Sequence, residues 1–203
     1  AARRLGATVA MVGLVGADEY GPTLVKALAN EGVDTTGVGV HPRAPSGLAV
    51  ITVDDSAENT IVVSPGANME LTPTHVADHG QVIRQAKVLL VQLEVPLDAV
   101  AAAIGLSNGL VCLNPAPAAP LSHSLLEAVD VLIPNRSELA RLAGVGVPVT
   151  IDDVEAVAKM LEFDGALVVT LGKDGALVLS DGSREFIPAF PAEAADVQAV
   201  RVR

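Results

Sequence analysis

VLLVQLEVPLDAVAAAIGLSNGLVCLN, residues 88–114, is the stretch that decides the fold. Its two apolar runs, residues 88–93 and 110–113, are too short for helices and favour strands buried on both faces of a sheet. A helix is predicted after Pro96, because apolar side chains recur there at the spacing of one helix face, at Leu97, Val100, Ala101 and Ile104. A strand, a helix and a strand in this order predict two parallel strands joined by a right-handed crossover.

The same alternation continues beyond this stretch. Apolar runs at residues 131–133 and 166–169 predict two further buried strands, and the candidate N-cap Thr150 precedes a second amphipathic helix. The predicted fold class is therefore α/β with a mainly parallel sheet. In such sheets ligands bind beyond the carboxyl ends of the strands, so the candidates for a site are the residues that follow the runs: Glu94, Asn114, Asn135 and Gly172.

Two segments have a different, β-prone pattern. Residues 47–53 and 59–63 predict an antiparallel ribbon outside the main sheet, and residues 176–179 and 184–187 predict a hairpin around the turn Ser180-Asp181-Gly182-Ser183. The chain is interpreted as one α/β domain over residues 1–203, with the ribbon at about residues 38–63 acting as a small lid.

Composition limits the classes of partner. The 203 residues include 13 Lys and Arg against 24 Asp and Glu, and the net charge of −11 opposes binding to nucleic acid or to an anionic membrane. No apolar run reaches the roughly 18 residues of a membrane span, and residues 5–17 are interpreted as a helix end, a strand and a turn rather than as a secretory signal. The single cysteine, Cys112, allows no internal disulfide and favours a reducing compartment, so a cytoplasmic location is predicted.

Seven groups of short stretches resemble, in order, the motifs of the ribokinase-like (PfkB) family of carbohydrate kinases. They are residues 5–7 with 15–21, then 31–35, 64–68, 92–96, 114–118, 134–138 and 170–175. The resemblance implies a three-layer αβα fold that binds ATP with Mg²⁺, and it allows a monovalent cation such as K⁺. It also implies phosphorylation of the primary hydroxyl of a pentose, with D-ribose giving ribose 5-phosphate as the first expectation, and a homodimer formed through the ribbon. The alternatives are a nucleoside or other sugar kinase of the same family and a non-catalytic remnant that binds sugar or nucleotide.

The pair Asn135 and Glu138 is the most informative of these motifs. In the family, the Asn contacts the nucleotide and the Glu orders Mg²⁺ through water around the phosphates. The same spacing is also an ordinary capping box, in which Asn caps a helix and Glu reaches back to the cap. Both roles can coexist at the N-terminus of a helix, where N–H groups attract phosphate.

Two other motifs receive a ligand role from the resemblance. Glu94 lies at the family's sugar site, although a carboxylate near a helix start is also favoured by the helix dipole alone. The nucleotide loop of the family corresponds to Thr170, Leu171, Gly172, Lys173, Asp174 and Gly175. These glycines equally suit a tight turn between two strands. Asn114 receives no role.

The chain departs from the family at both ends. The family's amino-terminal strand, with its sugar-binding Asp, would precede Ala1. Asp196 matches the start of the family's monovalent-cation loop, but residues 197–203 replace the Gly-Ala-Gly-Asp turn that holds the anion hole and the catalytic base. No catalytic residue is therefore assigned, exposed apolar surface is expected on one side of the sheet, and turnover is expected to lie at least roughly 10⁴-fold below that of a complete relative.

Overall fold

The computed structural model of the protein describes residues 1–53 and 59–190. The α-helices are α1 (Tyr20–Asn30), α2 (Pro73–Asp78), α3 (Gly80–Gln85), α4 (Leu97–Leu106), α5 (His123–Leu126), α6 (Arg136–Ala143) and α7 (Ile151–Lys159). The strands are β1 (Ala10–Gly16), β2 (Asp34–His41), β3 (Leu48–Val53), β4 (Asn59–Ser64), β5 (Val88–Gln92), β6 (Leu110–Asn114), β7 (Val131–Leu132), β8 (Ala166–Thr170), β9 (Gly175–Ser180) and β10 (Ser183–Pro188). Within these residues, every helix is too short or too polar to cross a bilayer.

The main sheet has six strands in the order β10-β9-β8-β7-β6-β5. Strands β5 to β8 run parallel to one another, and α4 joins β5 to β6 as the spacing of apolar residues predicted. The antiparallel hairpin of β9 and β10 extends the sheet, and its turn places Asp181 and Gly182 at positive φ, the conformation that a two-residue hairpin turn requires. The predicted α/β class is confirmed.

A second, smaller sheet pairs β1 with β2 in parallel. Within residues 5–17 the pattern predicts a strand at residues 8–14, between the helix end and the turn, and the structure places this strand two residues later, at Ala10–Gly16. The register with β2 explains the difference, because it starts at the pair Ala10 and Asp34 and continues to Gly16 and His41. Pairing with a neighbour sets the extent of a strand more strongly than local propensity does.

The ribbon consists of β3 and β4, which pair antiparallel and form a sheet of their own. This confirms the predicted antiparallel ribbon outside the main sheet. The predicted beginning at residue 38 was wrong, because residues 38–41 belong to β2 and pair with β1. The predicted polar connection at residues 54–58 lies outside the described residues.

Two aliphatic clusters form the core. The larger one lies between the parallel strands and α4, α6 and α7, and its fully buried members include Leu113, Leu132, Leu139, Val154 and Val169. The smaller one joins α2, α3 and α4 to the side chains of β1 and β5, through Val76, Ile83, Ala99, Val12 and Leu89. Helix α4 contributes to both clusters and therefore packs the β1–β2 pair beside the main sheet. In the described part of the chain, no hydrogen-bonded strand joins β1 to β5.

One face of the main sheet carries exposed apolar side chains. On β5, the side chains of Val88 and Leu90 are 48% and 66% exposed, and Leu110 on β6 is 44% exposed. The alternate residues of the same strands, such as Leu113, point to the other face and are buried. The apolar surface expected on one side of the sheet is therefore present.

Candidate functional site

The candidate site is the edge of the main sheet where four parallel strands end. Gln92 of β5 pairs with Asn114 of β6, and a bridge joins Asn135, just after β7, to Thr170 at the end of β8. Neighbouring strands lie about 4.8 Å apart. The predicted residues after the apolar runs therefore occupy one edge of one sheet, as the parallel topology required.

Hydrogen bonds between neighbouring strand ends hold this edge together. The amide of Leu93 donates to the carbonyl of Ala116 (3.1 Å), and the amide of Thr170 donates to the carbonyl of Pro134 (2.9 Å). The side-chain amide of Asn114 donates to the carbonyl of Ile133 at 2.7 Å. Asn114, which the sequence left without a role, thus links the end of β6 to the end of β7.

Asn135 and Glu138 form a complete capping box at the start of α6. Oδ1 of Asn135 accepts a bond from the amide of Glu138 (2.9 Å), and Oε2 of Glu138 accepts one from the amide of Asn135 (2.8 Å). The capping interpretation is therefore confirmed. Nδ2 of Asn135 and Oε1 of Glu138 make no hydrogen bond with another described residue, so one polar atom of each side chain remains available to a ligand.

An open depression of about 610 Å³ lies beside this cap. Asn135 and Glu138 line it together with Arg141 of α6 and with Pro117 and Ala118 from the segment after β6. Neither Glu94 nor the loop at residues 170–175 forms part of its wall. The structure thus places the predicted site residues along one edge, and only the cap residues share this depression.

The loop between β8 and β9 is a tight turn. Gly172 and Gly175 have φ of +63° and +118°, conformations that disfavour residues with a Cβ. Leu171 is only 5% exposed and packs into the larger core cluster, while its amide donates to the carbonyl of Gly175 (2.8 Å). Leu171 therefore anchors the loop, whereas Gly172, Lys173 and Asp174 are exposed.

A side chain that the sequence patterns did not single out connects this loop to the cap. The guanidinium of Arg136 lies 3.3 Å from Oδ2 of Asp174 and donates to the carbonyl of Val149 at 3.0 Å. In the sequence, the one feature that could have drawn attention to Arg136 is a basic residue at the first position of a helix, where acidic residues are favoured. Finding the partner required knowing that β7 and β8 are neighbours.

Glu94 is exposed and lies between β5 and α4. The N-cap of α4 is Pro96, so Glu94 precedes the helix by two further residues, and the acidic residue of the first turn is Asp98. Oδ1 of Asp98 accepts a bond from the amide of Ala99 (2.8 Å). Asp98, rather than Glu94, is thus the helix-start carboxylate that the dipole favours.

A second polar cluster connects β1 to the base of the ribbon. Ser46 is buried, its hydroxyl donates to Oδ1 of Asp18 (2.7 Å), and its amide donates to Oδ2 of Asp18 (2.6 Å). The amides of Gly16 and Gly21 complete the cluster, by donating to Ser46 and Asp18 respectively. The bonds from Ser46 hold the pKa of Asp18 below its usual value.

Among the described residues, no group of three or more His, Cys, Asp or Glu side chains could hold a metal ion. Asp196, which the resemblance assigns to a monovalent cation, lies outside the described residues.

Comparisons with known proteins show the family of the chain. A profile of the family described as "pfkB family carbohydrate kinase" matches residues 1–199. A ribokinase of Haemophilus influenzae is 40% identical in an alignment 206 residues long. This alignment covers 98% of this chain and 66% of the relative. A deoxyribokinase of Salmonella typhi is 35% identical over 202 residues, covering 97% of this chain and 66% of the relative.

A solved structure shows the same fold. The ribokinase of Arabidopsis thaliana, determined in complex with ribose and ATP, superposes with a TM-score of 0.81 at 27% identity, over 94% of this chain and 64% of that one. The chain spans just under two thirds of the length of each of these three proteins.

Proposed function

This chain belongs to the pfkB family of carbohydrate kinases, and from that membership we propose that the edge of the sheet beyond β5 to β8 binds a sugar and ATP with Mg²⁺. The proposed reaction transfers the terminal phosphoryl group of ATP to the primary hydroxyl of a pentose. D-ribose, giving ribose 5-phosphate, is the first substrate, because the Haemophilus relative is a ribokinase. The Salmonella relative makes deoxyribose the second substrate to test. The observation that carries the proposal is the position of the Asn135–Glu138 cap and the loop at 170–175 on neighbouring strand ends.

The residues present fit a nucleotide with Mg²⁺. Mg²⁺ keeps several waters and is usually held by one or two carboxylates together with phosphate oxygens. Oε1 of Glu138 can supply such a contact, directly or through water, while Oε2 continues to cap α6. The bound metal would neutralise charge on the phosphates. The exposed turn at Gly172–Asp174 offers backbone groups, and Lys173 offers a cation, to the same anion.

Glu94 is proposed to bind the sugar. An exposed carboxylate has two oxygens that accept hydrogen bonds from hydroxyl groups, and Glu94 is not used by α4 as a helix-start residue. Glu94 lies at the end of β5 and the loop at 170–175 follows β8, three strands away, so the proposed sugar contact and the proposed nucleotide loop are about 14 Å apart. This spacing suits a sugar and a triphosphate lying side by side along the edge.

The ribbon is proposed to act both as a lid and as a dimer contact. Opposite residues of β3 and β4 point to the same face, so Val50 and Val62 share one face while Ile51 and Ile61 share the other. All four side chains are more than half exposed. An isolated two-stranded ribbon is marginally stable. We therefore propose that each apolar face has its own partner: one face covers the sugar, and the other packs against a second copy of the chain.

Three other expectations stay predictions. They are the single-domain organisation of residues 1–203, the monovalent-cation contact at Asp196 and the cytoplasmic location.

The test combines binding and turnover on the same preparation. Calorimetric titration with ATP, with and without Mg²⁺, and with D-ribose and deoxyribose is run beside a coupled assay of ADP release. We expect Mg²⁺-dependent ATP binding and a preference for one of the two pentoses. Binding without ADP release above the uncatalysed rate would instead assign a binding function without catalysis. No binding of either ligand would overturn the proposal.

A variant of Glu94 tests the sugar contact. Hydrogen bonds to a charged group contribute about 1 kcal/mol more than neutral ones, so Glu94→Gln should weaken ribose binding by roughly fivefold to tenfold and leave ATP binding unchanged. Asp98→Asn is the matched control, because it removes a nearby carboxylate that belongs to α4. Equal ribose affinity of Glu94→Gln and the wild type would remove Glu94 from the site.

A further inference from the structure

We infer that Arg136 is a positioning residue for the loop at 170–175, and that it sets ATP affinity by fixing this loop and by neutralising Asp174. The inference rests on the proposed nucleotide site. Arg136 is the first residue of α6, directly after the cap residue Asn135, and its side chain reaches the loop after β8. It contacts Asp174 at 3.3 Å and the carbonyl of Val149 at 3.0 Å, so one side chain joins three segments.

Helix α6 itself does not explain why an arginine stands at this position. A cation at a helix N-terminus faces the positive end of the dipole, which is unfavourable. The cap is already complete through Asn135 and Glu138. In addition, Nε of Arg136 is buried and has no hydrogen-bond partner among the described residues, which is a further unfavourable contribution. The favourable contributions of this side chain therefore come from its two contacts outside the helix.

The loop needs a connection of this kind. The two glycines at positive φ give the turn its shape, but glycine is also the residue with the most conformational freedom. The other bonds of Asp174 in the described structure are backbone bonds, from its amide to Leu171 and from the amide of Ala189 to its carbonyl. The contact with Arg136 is thus the only side-chain hydrogen bond of the exposed turn at 172–174 within the described residues.

Both effects of Arg136 act on ATP and not on the sugar. A loop that is already ordered loses less conformational entropy when it binds a ligand. Without its partner, the Asp174 carboxylate would repel the phosphates of ATP across a short distance. The side chain of Arg136 is 27% exposed and that of Asp174 is 50% exposed, so solvent weakens the pair, although less than it weakens a fully exposed one.

The experiment compares four variants by calorimetric titration with ATP and Mg²⁺. Arg136→Gln should raise the Kd for ATP by about fivefold to tenfold, because it loses the connection and leaves Asp174 unpaired. Arg136→Lys should recover part of the affinity. Asp174→Asn should raise the Kd by only about twofold to threefold. The double variant Arg136→Gln with Asp174→Asn should bind ATP more tightly than Arg136→Gln alone, since no unpaired carboxylate remains.

Three readouts separate positioning from general stability. The ribose Kd and the Tm of Arg136→Gln should stay close to wild-type values, and hydrogen exchange of the segment 170–176 should become faster. Arg184→Gln is the matched control, because Arg184 pairs with Asp152 and Glu155 away from the loop; its ATP affinity should equal that of the wild type.

The outcomes distinguish this inference from the proposed function. A wild-type chain that binds no ATP would overturn both. A wild-type chain that binds ATP, with equal affinity in Arg136→Gln, would overturn the inference alone. Parallel losses of ATP and ribose affinity in Arg136→Gln would also overturn it, because they would show a global effect on the fold.

Discussion

At the residue scale, Glu138 has one observed role and one proposed role. Oε2 accepts a hydrogen bond from the amide of Asn135 and completes the cap of α6, while Oε1 is the proposed contact for Mg²⁺. The two roles can be separated by substitution, because glutamine can replace glutamate in a capping box but carries no charge for a metal ion.

Glu138→Gln should therefore keep the stability of α6 and weaken Mg²⁺-dependent ATP binding by about tenfold, the loss expected for one charged contact. Glu138→Ala should weaken ATP binding similarly and also lower the free energy of unfolding by about 0.5–2 kcal/mol, as capping substitutions do. Calorimetric titration and urea denaturation of both variants measure the two effects. Wild-type ATP affinity in Glu138→Gln would leave Glu138 with the capping role only.

How much of the site could be predicted depended on whether a residue's partner is near in sequence. Asn135 and Glu138 are three residues apart, and the tight loop at 170–175 is marked by its own glycines, so both were found from local patterns. Asn114 bonds to Ile133, and Arg136 to Asp174. These contacts depend on which strands are neighbours, and that order is set by the packing of the whole sheet.

At the scale of elements, Asp18 and Ser46 fix the ribbon to β1. Hydrogen bonds from Ser46 lower the pKa of Asp18 in the folded state. A carboxyl group with a lowered folded-state pKa stabilises the fold above its unfolded-state pKa of about 3.9. This contribution is lost as the pH falls below that value and through the folded-state pKa.

We therefore expect the wild type to lose more stability than Asp18→Asn between pH 6 and pH 2, with the two curves becoming closer at low pH. Urea denaturation across this range measures the difference. Other carboxyl groups, among them Asp34 and Asp153, also have lowered pKa values and act equally in both proteins. If the difference in stability between the wild type and Asp18→Asn did not change with pH, the bonds from Ser46 would not stabilise the charged form of Asp18.

The ribbon offers a second test at this scale, because its two faces can be changed separately. Val62 lies on one face and Ile61 on the other, with 64% and 51% of each side chain exposed. Val62→Lys and Ile61→Lys should have different effects: one should shift a dimer to monomer in sedimentation velocity, and the other should weaken ribose binding. A monomeric wild type, or identical effects of the two variants, would contradict the proposed double role.

At the scale of the whole molecule, the fold follows from the alternation of apolar runs and amphipathic helices. Residues 88–114 alone predicted the β5–α4–β6 unit and its parallel strands, since a buried strand and a helix can be packed in few ways. The extent of β1 and the beginning of the ribbon were misjudged. Both depend on the pairing of β1 with β2, whose paired residues lie 24 or 25 positions apart in the sequence.

The unequal faces of the main sheet give the last prediction. Leu90 on β5 and Leu113 on β6 occupy neighbouring strands, but Leu90 is 66% exposed and Leu113 is completely buried. Leu113→Ala should lower the free energy of unfolding by about 2–5 kcal/mol, as expected for a leucine removed from a packed core. Leu90→Gln should change stability by less than about 0.5 kcal/mol, while it reduces binding of a hydrophobic dye and slows aggregation. Urea denaturation of the two variants measures the stability effects, and dye fluorescence measures the exposed apolar surface.

A large destabilisation in Leu90→Gln would mean that this face is covered in solution. Sedimentation velocity of the wild type would then show whether a second copy covers it.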